Sequence, residues 1–372
     1  MHSNFEQNLR SGMSVSDEFI EDKATTAHDV VLGVCHEANA AESQRRRQQC
    51  VDRGIASLYR WYVARSQPSR QWNADTDFRW KEIRRDLPED ILAIVQGFYA
   101  VEQFIPDYAA ELTGLLRKNY GRSQFYLKWG SEEARHADLW QNVLLASGYR
   151  TLPWLEDYSR ELRSRSWELP FDDPLEMLIY TVLQERATQI NYARLRTAVS
   201  QCGQEGCHDP VLELAAKTIA IDEVAHFEFF LSATILHLYY FPERTLAALA
   251  RVLAFFEMPA VTIVPDYEPF IEALYRRGLF GKKIYYAEVF KLICRQFGVS
   301  DVRKLDNCVK ASRTTQLDAA GLPLHPSQIF DFETIQETVI SLFQRLGRFE
   351  QEAGIYEMFQ TELIPFDWGK AE

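Results

Sequence analysis

Long apolar stretches are missing from this chain of 372 residues. We find no run of about 20 apolar residues, the length that a helix needs to cross a bilayer. We therefore expect no membrane span, which excludes an integral-membrane protein. The N-terminal segment is also too acidic for a signal or transit peptide, since it holds Glu6, Asp17, Glu18, Glu21 and Asp22. The sequence thus predicts a cytoplasmic protein.

Cysteine and positive charge are scarce as well. The six cysteines are scattered, which argues against a disulfide framework and indicates free thiols in a reducing compartment. Cys202, Cys207 and His208 could suggest zinc, but their spacing and the missing second pair argue against such a site. The formal net charge of −12 opposes nucleic-acid binding, because phosphate recognition requires a basic surface.

Two segments each carry a Glu-x-x-His pair, and a lone glutamate in an apolar run precedes each pair. In a helix, residues three apart project from one face about 4.5 Å apart along the axis, so each pair can offer an oxygen and a nitrogen to one metal ion. This order matches the ligand set by which four helices of a ferritin-like bundle hold two metals. The six candidate ligands are Glu102, Glu133, His136, Glu185, Glu223 and His226.

Apolar neighbours place the four glutamates on buried helix faces. Around Glu223, for example, Ile219 and Phe227 lie four residues away on either side, which is the spacing of one helix face. Unpaired carboxylates are costly to bury, and bound cations remove that cost. Oxygen-rich sites with one imidazole per metal favour iron or manganese over zinc. Iron is the first choice if dioxygen is a substrate.

Two further features modify this pattern. Glu205 and His208 form a third Glu-x-x-His, but glycines interrupt the segment, so we interpret it as a loop and the spacing as accidental. Pro106 removes the amide that would bond to the carbonyl of Glu102, so the first ligand helix should bend beside its ligand.

The pattern as a whole predicts an all-α fold, with a ferritin-like four-helix bundle core and additional flanking helices. We find no repeat of fixed period and no alternation that predicts a sheet. Residues 1–25 read as a loose N-terminal extension, residues 26–372 as one helical domain, and residues 86–260 as the bundle core. Asp86 and Glu89 predict a capping box at the start of the first ligand helix. A long helix is expected over residues 332–359.

Several motifs resemble those of the soluble acyl-acyl carrier protein desaturases of plants and some bacteria. The similarity spans roughly residues 70–290 and includes a tryptophan-led EExRH segment, a QERAT segment and a DExxH segment. The segments that carry it are Leu87-Pro88-Glu89-Asp90, Trp129 to His136, Gln184 to Thr188, Ile219 to His226 and Met258-Pro259-Ala260.

The resemblance implies an oxidoreductase of fatty acid biosynthesis. Such an enzyme uses two iron ions (Fe²⁺/Fe³⁺), dioxygen and reduced ferredoxin to introduce a double bond into a saturated acyl chain carried on acyl carrier protein. The six candidate ligands would be the iron ligands. Thr188 would place a hydroxyl near the oxygen-binding side of the irons, and Asp222 would hold the ring of His136. A homodimer is also implied.

Other functions remain open at this point. A related di-iron oxygenase, a hydroxylase or N-oxygenase acting on a carrier-bound or small-molecule substrate, begins from the same chemistry. The radical-generating subunit of ribonucleotide reductase shares the ligand logic, but Trp140 stands where that family commonly keeps its radical tyrosine. A ferritin-type iron store is normally much shorter and has a single Glu-x-x-His.

Substrate recognition is less well defined by the sequence. Between Glu223 and His226 the plant enzymes have two basic residues, whereas this chain has Val224 and Ala225. An acidic carrier would therefore need another basic patch. The candidates are Arg276, Arg277, Lys282 and Lys283, or the run Arg45-Arg46-Arg47. The acyl tunnel could be walled by aromatic side chains, namely Phe98, Tyr99, Phe227, Phe229 and Phe230.

Overall fold

The structure is a computed structural model that describes residues 27–201, 208–314 and 326–368. Within these ranges the chain is helical and forms no strand, only an isolated bridge between Val299 and Phe330. The helices are α1 (Ala27–Trp61), α2 (Glu89–Glu102), α3 (Ile105–Leu116), α4 (Tyr120–Ala146), α5 (Leu152–Leu162), α6 (Pro174–Gln201), α7 (Pro210–Tyr240), α8 (Pro242–Phe255), α9 (Ala260–Ile263), α10 (Tyr267–Arg276), α11 (Lys282–Ile284), α12 (Lys291–Gln296), α13 (Val302–Thr314), α14 (Phe332–Glu352) and α15 (Tyr356–Phe359).

The chain divides into two compact units, Met1–Arg46 and Arg47–Glu372. In the first unit, the described residues belong to the N-terminal part of α1, where Glu42 pairs with Arg45 and Arg46. The predicted extension over residues 1–25 lies outside the described residues. The single domain predicted for residues 26–372 stays a prediction.

Four helices of the second unit form the bundle. α6 packs along α7, and α2 packs along α4, which also contacts α7. α7 is largely enclosed, since nearly every residue from Ile219 to Tyr240 is buried. Around these four lie α3, α8, α10 and α14 as flanking helices. The prediction of an all-α fold with a ferritin-like four-helix bundle core and additional flanking helices is confirmed.

Short acidic or amide side chains cap the start of two of the bundle helices. Asn119 accepts the amide of Arg122 at the start of α4, and Asp209 accepts the amide of Leu212 at the start of α7. These side chains satisfy amides that have no partner within the helix. The capping box predicted at Asp86 is wrong. α2 begins after Pro88 without a side-chain cap, and Asp86 instead pairs with Arg84.

The helix that carries Glu102 is interrupted directly after this residue. α2 ends at Glu102, and α3 begins at Ile105 with Pro106 in its first turn. The predicted bend is therefore a complete break, because Pro106 cannot donate to the preceding turn. Glu102 thus lies at the C-terminal end of α2.

The long C-terminal helix predicted over residues 332–359 is two helices. α14 ends at Glu352, and α15 begins at Tyr356 after Gly354, which has a φ of +68°. A left-handed backbone of this kind favours glycine and ends a helix. The buried carboxylate of Glu350 then accepts hydrogen bonds from Ser57 and Thr361, which ties the C-terminal segment to α1.

One segment, Pro242–Ile263, is long and apolar enough by length and composition to cross a membrane. It contains Glu243, Arg244, Arg251 and Glu257, so it is not an uninterrupted apolar run of the kind that the sequence was found to lack. In the structure the segment is not one helix, because α8 ends at Phe255 and α9 begins at Ala260. Half of it is buried inside the protein. Helices in the core of a globular protein have the same composition, so the segment does not indicate a membrane span.

His237 in α7 makes the stability of the fold sensitive to acid. Burial, followed by the charges of Arg122 and Arg244, lowers the pKa of His237 to about 3. The unfolded chain, with a histidine pKa near 6.5, takes up this proton first. The contribution to stability is therefore complete above about pH 6.5 and is lost as the pH falls toward 3. We expect this histidine to cost about 3 kcal/mol of unfolding free energy at pH 4.

The variant His237→Asn removes this titration. Its unfolding midpoint should fall less steeply than that of the wild type between pH 7 and pH 4, as measured by urea unfolding across this range. His208→Gln is the matched control, because His208 is exposed. Equal slopes for His237→Asn and the wild type would contradict the assignment.

Candidate metal centre

The structure brings all six candidate ligands together in the middle of the bundle. One group, Glu102, Glu133, His136 and Glu223, has ligand atoms within 4.8 Å of one another. A second group, formed by Glu133, Glu185, Glu223 and His226, meets the same distance. None of the six is more than 5% exposed. Glu133 and Glu223 belong to both groups, so the arrangement is that of two adjacent sites sharing two carboxylates.

Both histidines direct the same ring nitrogen at this cluster. His136 Nδ1 lies 2.8 Å from Glu133 Oε2, and His226 Nδ1 lies 2.9 Å from Glu133 Oε1. The two oxygens of Glu133 thus each face one imidazole. Because the side chains of a helix three residues apart share a face, the Glu-x-x-His spacing produces this convergence in α4 and α7 alike.

The electrostatics of the cluster fit a bound cation pair. Burial, and then the charge of Glu133, raises the pKa of Glu102 and Glu223 well above the ordinary value. Glu133 Oε1, Glu185 Oε2 and His226 Nδ1 also make no hydrogen bond of normal geometry among the described residues, although Glu133 Oε1 and His226 Nδ1 lie 2.9 Å apart. Buried polar atoms without a partner are costly, and metal ions would use them as ligands. The donor set of four carboxylates and two imidazoles therefore fits two metal ions of the iron or manganese kind.

Neighbouring side chains fix the outer carboxylates of the cluster. Tyr192 donates to Glu102 Oε1 over 2.6 Å, and Trp129 Nε1 donates to Glu185 Oε1 over 3.1 Å. The hydroxyl of Thr188 lies 3.1 Å from the carbonyls of Gln184 and Glu185 and 3.4 Å from Glu223 Oε2. Thr188 therefore lies beside the cluster, with its proton shared between its own helix and a candidate ligand.

Asp222 lies directly behind the ring of His136. Asp222 Oδ2 lies 3.3 Å from His136 Nε2 and accepts a hydrogen bond from Trp72 Nε1 over 2.9 Å. The ring of Trp72 is parallel to that of His136. Burial would raise the pKa of Asp222, but His136 and then other cations outweigh it and lower this pKa to about 2. Asp222 is thus a charged acceptor behind the histidine.

Sequence reasoning missed the equivalent acid on the other side. Glu132 Oε2 lies 2.9 Å from His226 Nε2, and it accepts hydrogen bonds from Tyr62 and Arg70. A signal for it existed, because Glu132 precedes Glu133 just as Asp222 precedes Glu223. Tyr62 and Arg70 gave no such signal, since they precede the bundle helices.

A narrow cavity of about 10 Å³ reaches the cluster. Its apolar walls include Val101, Ile105, Tyr108 and Trp129. The five aromatic residues expected to wall a tunnel do not line it. Phe98 packs on Trp140 and Tyr192, and Phe229 stacks on Phe125. Within the described ranges these aromatics are core side chains, and the cavity beside the acids has room for about one water molecule.

The basic patches differ in how much of their charge is free. Arg276 pairs with Glu272, and Arg277 pairs with Asp90. Lys282 and Lys283 are exposed, and no ion-pair partner for them occurs in the described part of the chain. In the other patch, Arg45 and Arg46 are paired with Glu42, whereas Arg47 lies over the rings of Phe241 and Phe366.

The histidine of the third Glu-x-x-His motif, His208, is not part of the cluster. His208 is exposed and lies outside the helices, two residues before α7. Glu205, Cys202 and Cys207 lie outside the described residues. The interpretation of this motif as accidental stays a prediction. Trp140, which argued against a radical tyrosine, is fully buried beside Tyr192.

Known proteins show similarity over much of the same region. The acyl-[acyl-carrier-protein] 6-desaturase of Thunbergia alata is 28% identical over 264 residues, covering 66% of this chain and 65% of that protein. The stearoyl-[acyl-carrier-protein] 9-desaturase 3 of Arabidopsis thaliana is 29% identical over 159 residues, covering 40% of this chain and 38% of that protein. The chain thus spans less than two thirds of the length of these relatives.

A solved structure and a family profile complete the comparison. DesA2 of Mycobacterium tuberculosis H37Rv, assigned as an acyl-ACP desaturase, superposes with a TM-score of 0.49 and 18% identity, covering 71% of this chain and 98% of that one. The family profile described as fatty acid desaturase matches residues 62–320, which is well over half of the 372 residues. This chain therefore belongs to the fatty acid desaturase family.

Proposed function

We propose that this protein is a di-iron, O₂-dependent desaturase that introduces a double bond into a saturated acyl chain carried on acyl carrier protein. The observation that carries the proposal is the buried cluster of four carboxylates and two imidazoles, which the four helices of the bundle contribute together. The names of the relatives support the substrate class. We further propose a ferredoxin-type electron donor, a homodimer and a cytoplasmic location.

The six clustered residues would hold the two irons, with Glu133 and Glu223 shared between them. Iron bound there would supply the oxidising power, drawn from O₂, that unactivated methylenes require. In the reaction, two C–H bonds on neighbouring carbons break and a carbon–carbon double bond forms. The two hydrogens removed, two electrons from the donor and two protons reduce O₂ to two waters.

The protein's own residues position the reaction and keep it dry. Asp222 and Glu132 hold the imidazoles, and the apolar walls of the cavity keep bulk water away from the cluster. Because this cavity admits about one water, an acyl chain can enter only if some of its wall side chains move. The walls would then set the position of the double bond, since methylenes offer no polar group for recognition.

The mass of the product tests the reaction. Iron-loaded protein is incubated with O₂, ferredoxin, a reductant for ferredoxin, and acyl carrier protein that carries saturated acyl chains of several lengths. The mass of the acyl group is then measured by mass spectrometry. Loss of two hydrogens supports desaturation. Gain of one oxygen indicates the alternative, a hydroxylase or N-oxygenase. The alternative is kept because this chain has Val224 and Ala225 where the plant enzymes have two basic residues, so the basic charges of those enzymes are missing at this position. An unchanged mass with every carrier contradicts both.

Thr188 provides a test of proton delivery. Replacing it by valine removes the hydroxyl beside Glu223, so we expect the desaturation rate to fall about tenfold or more. The iron content per chain should not change. Thr188→Ser should retain most of the rate. The matched control is Thr181→Val, because the Thr181 hydroxyl lies on the same helix but donates to the carbonyl of Met177. Wild-type turnover in Thr188→Val would exclude the role.

Lys282 and Lys283 are the free charges of the predicted docking patch. We expect the double variant Lys282→Glu/Lys283→Glu to weaken binding of an acidic carrier about tenfold at low salt, and less at high salt. Fluorescence anisotropy of labelled carrier measures this. Lys81→Glu/Lys217→Glu makes the same charge change at two other exposed sites. Equal weakening by both double variants would show only a net-charge effect.

A further inference from the structure

Two buried acids form a layer behind the candidate ligands. Glu132 and Asp222 each precede a candidate ligand glutamate in their helix, and each is only 1% exposed. Glu132 faces Nε2 of His226, while Asp222 faces Nε2 of His136. Each acid therefore holds the histidine of the other Glu-x-x-His helix. In this outer layer, an acid of α4 supports the histidine of α7, and an acid of α7 supports the histidine of α4.

One guanidinium connects the two acids. Arg70 lies in a short 3₁₀ turn, Gln67–Arg70, outside the four bundle helices. Its Nη1 donates to Glu132 Oε2 over 3.0 Å and to Asp222 Oδ1 over 2.7 Å. Its Nη2 donates to the hydroxyl of Tyr62 over 2.5 Å. The residue is 8% exposed, so these contacts lie inside the protein.

The two acids differ in how they depend on this cation. Arg135 Nη2 also lies 3.5 Å from Asp222 Oδ2. For Glu132, Arg70 is the only arginine or lysine within ion-pair range among the described residues. Asp222 thus has two arginine partners, whereas Glu132 has one. A buried carboxylate that loses its only cation is strongly destabilised.

We propose that Arg70 is a positioning residue that sets the orientation of both histidines at once. The proposal rests on the metal centre proposed above. A guanidinium is planar and rigid, and a single nitrogen of Arg70, Nη1, bonds to both acids. A movement of Nη1 with Glu132 therefore changes its hydrogen bond to Asp222. Outer carboxylates fix the tautomer and orientation of ligating imidazoles. Arg70 therefore couples the affinities of the two metal sites.

Metal titration separates this coupling role from a general loss of charge. Metal-free protein is titrated with Co²⁺, whose visible spectrum reports its ligand geometry. We expect Arg70→Met to weaken both sites by about 10- to 100-fold and to change both spectra. Arg135→Gln removes the same charge, but of the two acids Arg135 contacts only Asp222, so this variant should weaken one site. Wild-type affinity at either site in Arg70→Met would overturn the proposal.

A double-mutant cycle measures the coupling directly. In the presence of Arg70, the effects of Glu132→Gln and Asp222→Asn on Co²⁺ affinity should depart from multiplicative behaviour by at least about threefold. In the Arg70→Met background they should multiply. Non-additivity that persists without Arg70 would assign the coupling to another path.

Two further measurements keep the test decisive. Loss of a buried cation can impair folding, so circular dichroism is recorded for each variant, and the titration is repeated with Arg70→Lys. The lysine keeps the charge but presents a single point donor, so both sites should again weaken, and unchanged affinities would reject the proposal. If the wild type binds no Co²⁺ at all, the metal centre itself fails, which is a distinguishable result.

Discussion

Replacing Glu133 by glutamine is expected to reduce the metal content from about two ions per chain to nearly none. Glu133 belongs to both ligand groups, and its two oxygens face Nδ1 of His136 and of His226. An amide offers one neutral oxygen in place of two charged ones, so both sites lose a ligand together. Desaturation should fall to background with the metal.

Elemental analysis of protein loaded with Fe²⁺ without oxygen measures this effect. Glu102→Gln and Glu185→Gln provide internal comparisons, because each residue belongs to only one group. Each should lose one ion of the two. Glu111→Gln is the matched control, an exposed glutamate on neighbouring α3. Two tightly bound ions in Glu133→Gln would show that the cluster is not a shared site.

Replacing Gly121 by alanine is expected to destabilise the bundle by about 3 kcal/mol or more. Gly121 lies in the first turn of α4, where it contacts α1, and an added Cβ would lie 2.6 Å from the backbone nitrogen of Ala56. Backbone cannot move aside as a flexible side chain can, so the two helices must separate. Because α4 carries Glu133 and His136, metal affinity should fall as well.

Gly114→Ala is the control for this substitution. Gly114 is an exposed position within α3, and an added Cβ there meets no atom within 4 Å. The same change should therefore stabilise the protein by about 0.5–1 kcal/mol through helix propensity alone. Urea unfolding of both variants measures the difference. A Gly121→Ala protein as stable as the wild type would show that α1 and α4 do not pack this closely.

The candidate centre was accessible to sequence reasoning because its parts are local. Glu133 and His136 lie three residues apart, so a helix alone places them on one face, and apolar neighbours show that this face is buried. The same holds for Glu223 and His226. Glu132 could have been found in the same way, since an acid precedes the glutamate of both motifs.

Other expectations failed because they depended on packing. The aromatic residues expected beside the substrate pack against one another, and the cavity at the cluster is walled by Val101, Ile105, Tyr108 and Trp129. Which apolar side chain faces a cavity depends on how neighbouring helices are rotated, and this rotation is not encoded in one helix. Asp86 likewise forms an ion pair with Arg84, and α2 begins without the predicted side-chain cap.

The sequence by itself determined the helical class, the order of the six candidate ligands and the burial of their helix faces. Helical periodicity is a local property, and carboxylates on an apolar face need a compensating cation wherever they occur. Only the tertiary structure decided that Arg70 bridges Glu132 and Asp222, which lie 62 and 152 residues away along the chain. No local rule predicts that contact, because it arises only when a turn outside the bundle packs against two of its helices.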